Sequence, residues 1–90
     1  MYDLKGKVAI ITGGASGMGK AASVLFAKAG ANVVVADLNV KGGKEVAELS
    51  SESGNRCVFQ RTDVSDEEDI KAMVAAALAN FGRLDITFNN

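Results

Sequence analysis

Two short runs, Val8-Ala9-Ile10-Ile11 and Val33-Val34-Val35-Ala36, are apolar at every position, while the stretch between them repeats its apolar residues at helical spacing. A strand with one wet face alternates, so unbroken apolar runs rich in β-branched residues belong to strands covered on both sides, as in a parallel sheet. Ala22, Leu25, Phe26 and Ala29 fall at i, i+3, i+4 and i+7, predicting the buried face of an intervening helix that Gly30 stops.

The same unit recurs twice more. A second helix is predicted over roughly 41–53 on the thinner stripe Val46, Ala47 and Leu49, although Gly42 and Gly43 weaken its start by about 1 kcal/mol each. Cys57-Val58-Phe59 predicts a third strand, ending in Thr62-Asp63-Val64. Ser65 and Glu68 have the spacing of a capping box, and Ile70, Met73, Val74, Ala77, Leu78 and Phe81 make the stripe of a third helix closed by Gly82. A fourth strand follows over 84–88. The order β-α-β-α-β-α-β places the chain in the α/β class.

With 48% hydrophobic and 23% charged residues, the ninety residues suit one small domain covering 1–90. A formal net charge of -1 leaves no basic stripe for nucleic acid and no polybasic segment for anionic lipid. The longest apolar run, Ala72 to Ala79, is eight residues, against about 20 for a membrane helix. The four apolar residues near the N-terminus are too few for a signal-peptide core of about 7 to 15. These features predict no membrane partner and a cytoplasmic location. The single cysteine, Cys57, reads as a reduced structural thiol with no metal-ligating neighbours, and the absence of histidine removes the commonest general base.

Chemistry enters where the first strand hands over to the first helix, in Thr12-Gly13-Gly14-Ala15-Ser16-Gly17-Met18-Gly19. Glycines there let a backbone approach a pyrophosphate, and a helix N-terminus offers free N–H groups with partial positive charge. Taken alone, the turn also suits a plain connector. Gly17-Met18-Gly19-Lys20-Ala21-Ala22 satisfies G-x-G-x-x-A but begins several residues after the strand ends. The spacing G-x-x-x-G-x-G describes it better: Gly13 makes room, Gly17 tolerates the tight turn, and Gly19 brings the helix close enough that a side chain there would intrude on the pyrophosphate.

Asp37 follows eighteen residues after Gly19, at the end of the second strand. An acid in that place can simply start a turn, but it can also accept two hydrogen bonds from adenosine ribose hydroxyls, each worth about 1.5 to 3 kcal/mol. A 2'-phosphate would meet a like charge, costing about 4 kcal/mol per charge pair at 4 Å and an effective dielectric of 20. No Lys or Arg occupies 14–16 or 38–40, although Lys41 is close by, so NAD is expected over NADP.

Together, Thr12-Gly13-x-x-x-Gly17-x-Gly19, Asp37, Asp63-Val64 and Asn89-Asn90, each ending a predicted strand or opening the loop after it, resemble the short-chain dehydrogenase/reductase family. The resemblance implies a partial Rossmann-type sheet and, in complete members, hydride transfer between NAD(H) and an alcohol or ketone. By the same resemblance the amides of Ser16, Gly17 and Met18 contact the cofactor, Asp63 bonds the adenine amino group and Val64 adds backbone contacts. Asn89-Asn90 resembles the start of an N-N-A-G element whose carbonyls line the ribose and whose amides tie the central strands, with the Thr12 hydroxyl as partner. For Asp63 and Ser65 the plainer reading is that they cap the third helix.

Complete members also use a serine, a tyrosine and a lysine four residues after the tyrosine. The only tyrosine here is Tyr2, with Gly6 in the lysine's place, so no catalytic set can be assigned and the ninety residues are expected not to turn over by themselves. Right-handed crossovers predict strand order 3-2-1-4, with the first two helices on one face, the third on the other, and the fourth strand an open edge carrying Ile86 and Phe88. The sequence thus reads as a half-domain ending after its fourth strand, marginally stable or self-associating alone and homo-oligomeric in its complete form. A monomeric, sharply melting species in sedimentation and calorimetry would contradict the first of these expectations. Two alternatives stay open: a non-catalytic nucleotide-binding module or truncated regulatory product, and a methyltransferase-like fold, where an acid usually precedes the glycine turn that Thr12 precedes here.

Overall fold

The computed structural model describes residues 3–90, so Tyr2 lies outside the described residues. The elements run β1 (Val8–Thr12), α1 (Gly17–Lys28), β2 (Asn32–Asp37), α2 (Val40–Ser51), β3 (Cys57–Arg61), α3 (Glu67–Phe81) and β4 (Ile86–Phe88). All pairings are parallel and the sheet order is β3-β2-β1-β4, as right-handed crossovers require. Ala9 pairs with both Val33 and Ile86, so β1 is flanked on both sides. Every residue of β1 is buried, as are Val33 to Ala36 of β2. The unbroken apolar runs are therefore the two inner strands.

Alternation sorts the core into two layers. Ala9, Ile11, Val33 and Val35 pack with Ala22 and Ala27 of α1 and Val46 and Ala47 of α2, while Val8, Ile10, Val34 and Ala36 pack with Met73 and Ala77 of α3. The expected two-and-one division of helices is present. Phe26 and Phe88 meet edge to face at 6.1 Å between ring centroids, which covers β4 from the α1 side.

Several local expectations shift. The inner face of α1 is Gly19, Ala22, Ser23 and Ala27, and Leu25 is 63% exposed, because small residues let the helix lie closer to the sheet than a leucine row would. Leu49, Ile70 and Leu78 are likewise exposed, at the margins of their stripes. Ser65 does not cap α3: its hydroxyl donates to Asp63 at 2.6 Å, and Asp66 becomes the N-cap by accepting from the Glu68 N–H at 2.9 Å. The α2 glycines answer to packing. A Cβ on Gly43 would run into the Phe59 ring, and one on Gly42 would strike the Asn39 side chain, which caps the helix by accepting the Gly42 N–H. β4 is shorter than predicted, because Arg83, Leu84 and Asp85 form the approach to it rather than part of it.

That approach is tied to β1. Asp85 accepts from the Val8 N–H at 2.9 Å and from Arg83 at 2.7 and 2.8 Å. Chiefly Arg83, with the Val8 N–H, holds the Asp85 carboxyl below the usual carboxylate range. A carboxyl depressed by folding contributes stability above its unfolded pKa of about 3.9 and loses that contribution as pH falls through the lower folded value. The Asp85→Asn variant is thus expected to be less stable at neutral pH and to show a shallower loss of stability between about pH 4 and pH 2 than the parent, measured by urea unfolding across that range.

Ser50 on α2 is fully buried, and its hydroxyl has no hydrogen-bond partner among the described residues. An unsatisfied buried polar atom costs about 1 to 3 kcal/mol, so Ser50→Ala should raise stability by about 1 kcal/mol in the same assay. A loss of that size would mean that the hydroxyl is bonded after all.

Candidate functional site

Because the strands are parallel, Thr12, Asp37, Arg61 and Phe88 all finish at one edge of the sheet. The chain runs outward from β1 through β2 to β3 and returns to β4 on the other side of β1, so the strand order reverses beside β1 at that edge. Open parallel sheets form their ligand crevice at such a point. Every site residue predicted from the sequence stands at or just beyond one of these four strand ends or on the opening of α1.

The turn after β1 is built by its glycines. Gly13 has φ +63° and Gly17 φ +57°, and a Cβ on Gly14 would come within 2.9 Å of Val35. Gly19 is buried beneath the turn, and a Cβ there would overlap the Gly13 carbonyl oxygen. The side chain excluded at Gly19 would therefore strike the chain's own backbone before it met any ligand. Gly17 differs, because a Cβ there would meet nothing within 4 Å. The first bond into α1 runs from the Lys20 N–H to the Ser16 carbonyl at 3.2 Å, so the N–H groups of Gly17, Met18 and Gly19 precede the helical ladder. Ser16 is the N-cap residue, yet its side chain makes no capping bond. Ser16, Gly17 and Met18 are all exposed.

A cavity of about 170 Å³ opens next to this turn, lined by Thr12, Gly13, Ala36, Asp37, Leu38, Thr62, Asp63, Val64 and Asn90. It brings together five of the predicted residues: Gly13, Asp37, Asp63, Val64 and Asn90. Ser16, Gly17, Met18 and Gly19 do not line it, and Asn89 lines a neighbouring groove with Val64, Met73 and Thr87. Leu38 and Val64, each 58% exposed, supply apolar surface to the cavity. Leu38 escapes the sequence reading, its only signal being a leucine directly after the strand-ending acid.

The polar groups of the cavity are held in place. Asp37 Oδ2 accepts from the Ala15 N–H at 3.0 Å and Oδ1 from the Asn39 N–H at 2.9 Å, so the aspartate does make a turn while still facing the cavity. Asp63 Oδ1 accepts from both the hydroxyl and the N–H of Ser65, bonds that hold its carboxyl below the usual range. Asp69 fixes the same loop by accepting from the Asp63 N–H at 2.9 Å and pairing with Arg61 at 2.8 Å. At the far side the Asn90 N–H donates to Thr12 Oγ1 at 3.1 Å, and Thr12 Oγ1 donates to the Phe88 carbonyl at 3.3 Å, which ties the end of β1 to the end of the edge strand β4. Asn90 Nδ2 also reaches the Gly13 carbonyl at 3.4 Å.

The family model described as short chain dehydrogenase matches residues 7–90. The chain belongs to the short-chain dehydrogenase/reductase family. It is 51% identical over 90 residues to the short chain dehydrogenase/reductase astE of Aspergillus oryzae, covering 99% of this chain and 34% of that protein. It is 49% identical over 90 residues to a 2,5-dichloro-2,5-cyclohexadiene-1,4-diol dehydrogenase of Sphingobium indicum, covering 100% of this chain and 35% of that protein. The crystal structure of a hydroxysteroid dehydrogenase from Escherichia coli superposes with a TM-score of 0.94 at 38% identity, over 98% of this chain and 37% of that one. The chain thus spans about a third of the length of the relatives it matches. Short-chain dehydrogenases are oxidoreductases that use nicotinamide cofactors. Among the described residues no helix is long and apolar enough to cross a membrane, and no cluster of candidate metal ligands occurs.

Proposed function

We propose that this chain is the NAD-binding portion of an oxidoreductase that moves hydride between NAD(H) and a small alcohol or ketone. The observation that carries the reading is the Asp37 carboxylate, which faces a cavity walled by Leu38 and Val64 beside a helix start with free N–H groups. A carboxylate has about four acceptor positions, and two of those on Asp37 are taken by backbone N–H groups, which leaves one on each oxygen for a pair of ribose hydroxyls. Leu38 and Val64 offer apolar surface to a flat base, and Asp63 keeps Oδ2 clear to accept from an amino group. The N–H groups of Ser16, Gly17 and Met18, all three residues exposed, suit a diphosphate. Asn89 and Asn90 lie on the route from the cavity to the α3 side of the sheet.

The dinucleotide, when bound, supplies the hydride acceptor or donor. The described residues bind and orient it: none of them is a tyrosine, and the serine-tyrosine-lysine set of the family cannot be assigned to them. Turnover, the alcohol or ketone substrate and homo-oligomer formation belong in this reading to the complete protein, acting in the cytoplasm. Equilibrium dialysis against labelled NAD, NADP and S-adenosylmethionine tests the proposal. NAD should be retained at least about tenfold more tightly than NADP, given a like-charge repulsion of about 4 kcal/mol before solvent screening. Displacement of NAD by S-adenosylmethionine, or no retention of any nucleotide, would reject it. Assaying the ninety residues beside a longer chain separates a cofactor-binding portion from a module that works by binding alone.

A further inference from the structure

Asp37 is engaged by two backbone N–H groups. Its Oδ2 reaches back across 22 residues to the Ala15 N–H, in the middle of the glycine turn, while Oδ1 holds the Asn39 N–H in its own loop. The turn needs such an anchor. Gly13 and Gly17 sit at positive φ, and glycine retains more backbone freedom than any other residue. Among the described residues, the other ties of the 13–15 segment to neighbouring strands and their ends are the Gly14 N–H to Ala36 carbonyl bond at 3.3 Å and the long contact from Asn90 Nδ2 to the Gly13 carbonyl. The bond at Ala15 is the charge-assisted one of the three, and it lies closest in sequence to the Ser16–Gly19 opening of α1.

From this arrangement we propose that Asp37 is a positioning residue for the glycine turn, latching Ala15 so that the opening of α1 is held beside the cavity. One carboxylate then has two duties on opposite sides: inward it fixes the turn, outward it reads the sugar. The inward duty stands on the observed bonds; the outward one rests on the nucleotide reading above. Exchanging Asp37 for a neutral residue to admit a 2'-phosphate therefore also loosens the diphosphate cradle, so that loss of the anchor opposes the relief of like-charge repulsion and NADP does not gain what NAD loses. Asparagine is no substitute, because it offers one acceptor oxygen where two N–H groups must be met.

Residue-resolved amide hydrogen exchange on the nucleotide-free protein tests the latch. The Ala15 N–H should exchange at least about tenfold more slowly than those of Ser16 and Gly17, which donate to nothing among the described residues. In Asp37→Ala that protection should vanish, while the surface-charge variant Glu48→Gln leaves it intact. Equal exchange at Ala15, Ser16 and Gly17 in the parent overturns the proposal without needing any variant. So does an Ala15 rate that Asp37→Ala leaves unchanged. Adding NAD distinguishes this result from the nucleotide reading: protected Ala15 with no NAD binding upholds the latch and rejects the reading, and NAD binding with unprotected Ala15 does the reverse.

Discussion

Replacing Gly19 by alanine is expected to cost about 2 to 3 kcal/mol of stability and to abolish measurable dinucleotide binding. The added Cβ would overlap the Gly13 carbonyl oxygen and stand 2.7 Å from its carbon and 3.0 Å from Gly14 Cα. All three are backbone atoms, so no side-chain rotation relieves the clash. Either α1 backs away from the turn or the turn gives up the conformation that Gly13 and the Ala15 bond maintain. Alanine is the better helix former by about 1 kcal/mol, which offsets part of the cost and is why the expected loss is not larger. Gly17 makes the control. It has the positive φ but open space around it, so Gly17→Ala should be strained through its dihedral alone, by about 1 kcal/mol. Urea unfolding and dialysis on both variants check this, and equal losses at the two positions would mean that close packing of α1 under the turn is not what Gly19 serves.

The second large effect is expected at Asp37. If the proposed function holds, Asp37→Ala removes up to two charge-assisted bonds to ribose hydroxyls, each worth about 1.5 to 3 kcal/mol, and NAD affinity should fall by about 100-fold or more. NADP affinity should change far less, because relief of like-charge repulsion opposes the loss of the turn's anchor. The ratio of the two affinities should therefore collapse toward unity while neither nucleotide binds well. Calorimetric titration of each nucleotide into parent and variant reads this directly. If NADP bound the variant as tightly as NAD binds the parent, charge alone would govern selection and the turn would owe nothing to Asp37.

How much of this was legible in the residues depended on how local the cause was. The unbroken apolar runs Val8–Ile11 and Val33–Ala36 announced strands buried on both faces, and the structure has them as the inner pair. The gathering of the candidate residues at one edge was legible for a related reason, since in a parallel sheet the residues that end the strands share an edge whatever the loops beyond them do. What escaped was decided by partners distant in sequence. Gly43 reads as a weak helix start until Phe59 of β3 is placed against it. Leu25 fits the helical period but loses the inner face to Ser23 and Ala27, which allow closer approach. Ser65 has the spacing of a cap, and only the competing acceptor on Asp63 shows why Asp66 takes that place. The Ala15 to Asp37 bond joins residues 22 apart and leaves no periodic trace in the sequence.

The central claim is that the opening of α1 and the end of β2 hold the two halves of one dinucleotide. Amide chemical shifts of the protein during an NAD titration test it most directly. The largest movements are expected at Ser16, Gly17 and Met18, joined by Leu38 and Val64, with a common saturation curve. Largest movements instead at Lys20, Gly42, Glu45 and Leu49, which line the separate cavity between α1 and α2, would contradict it.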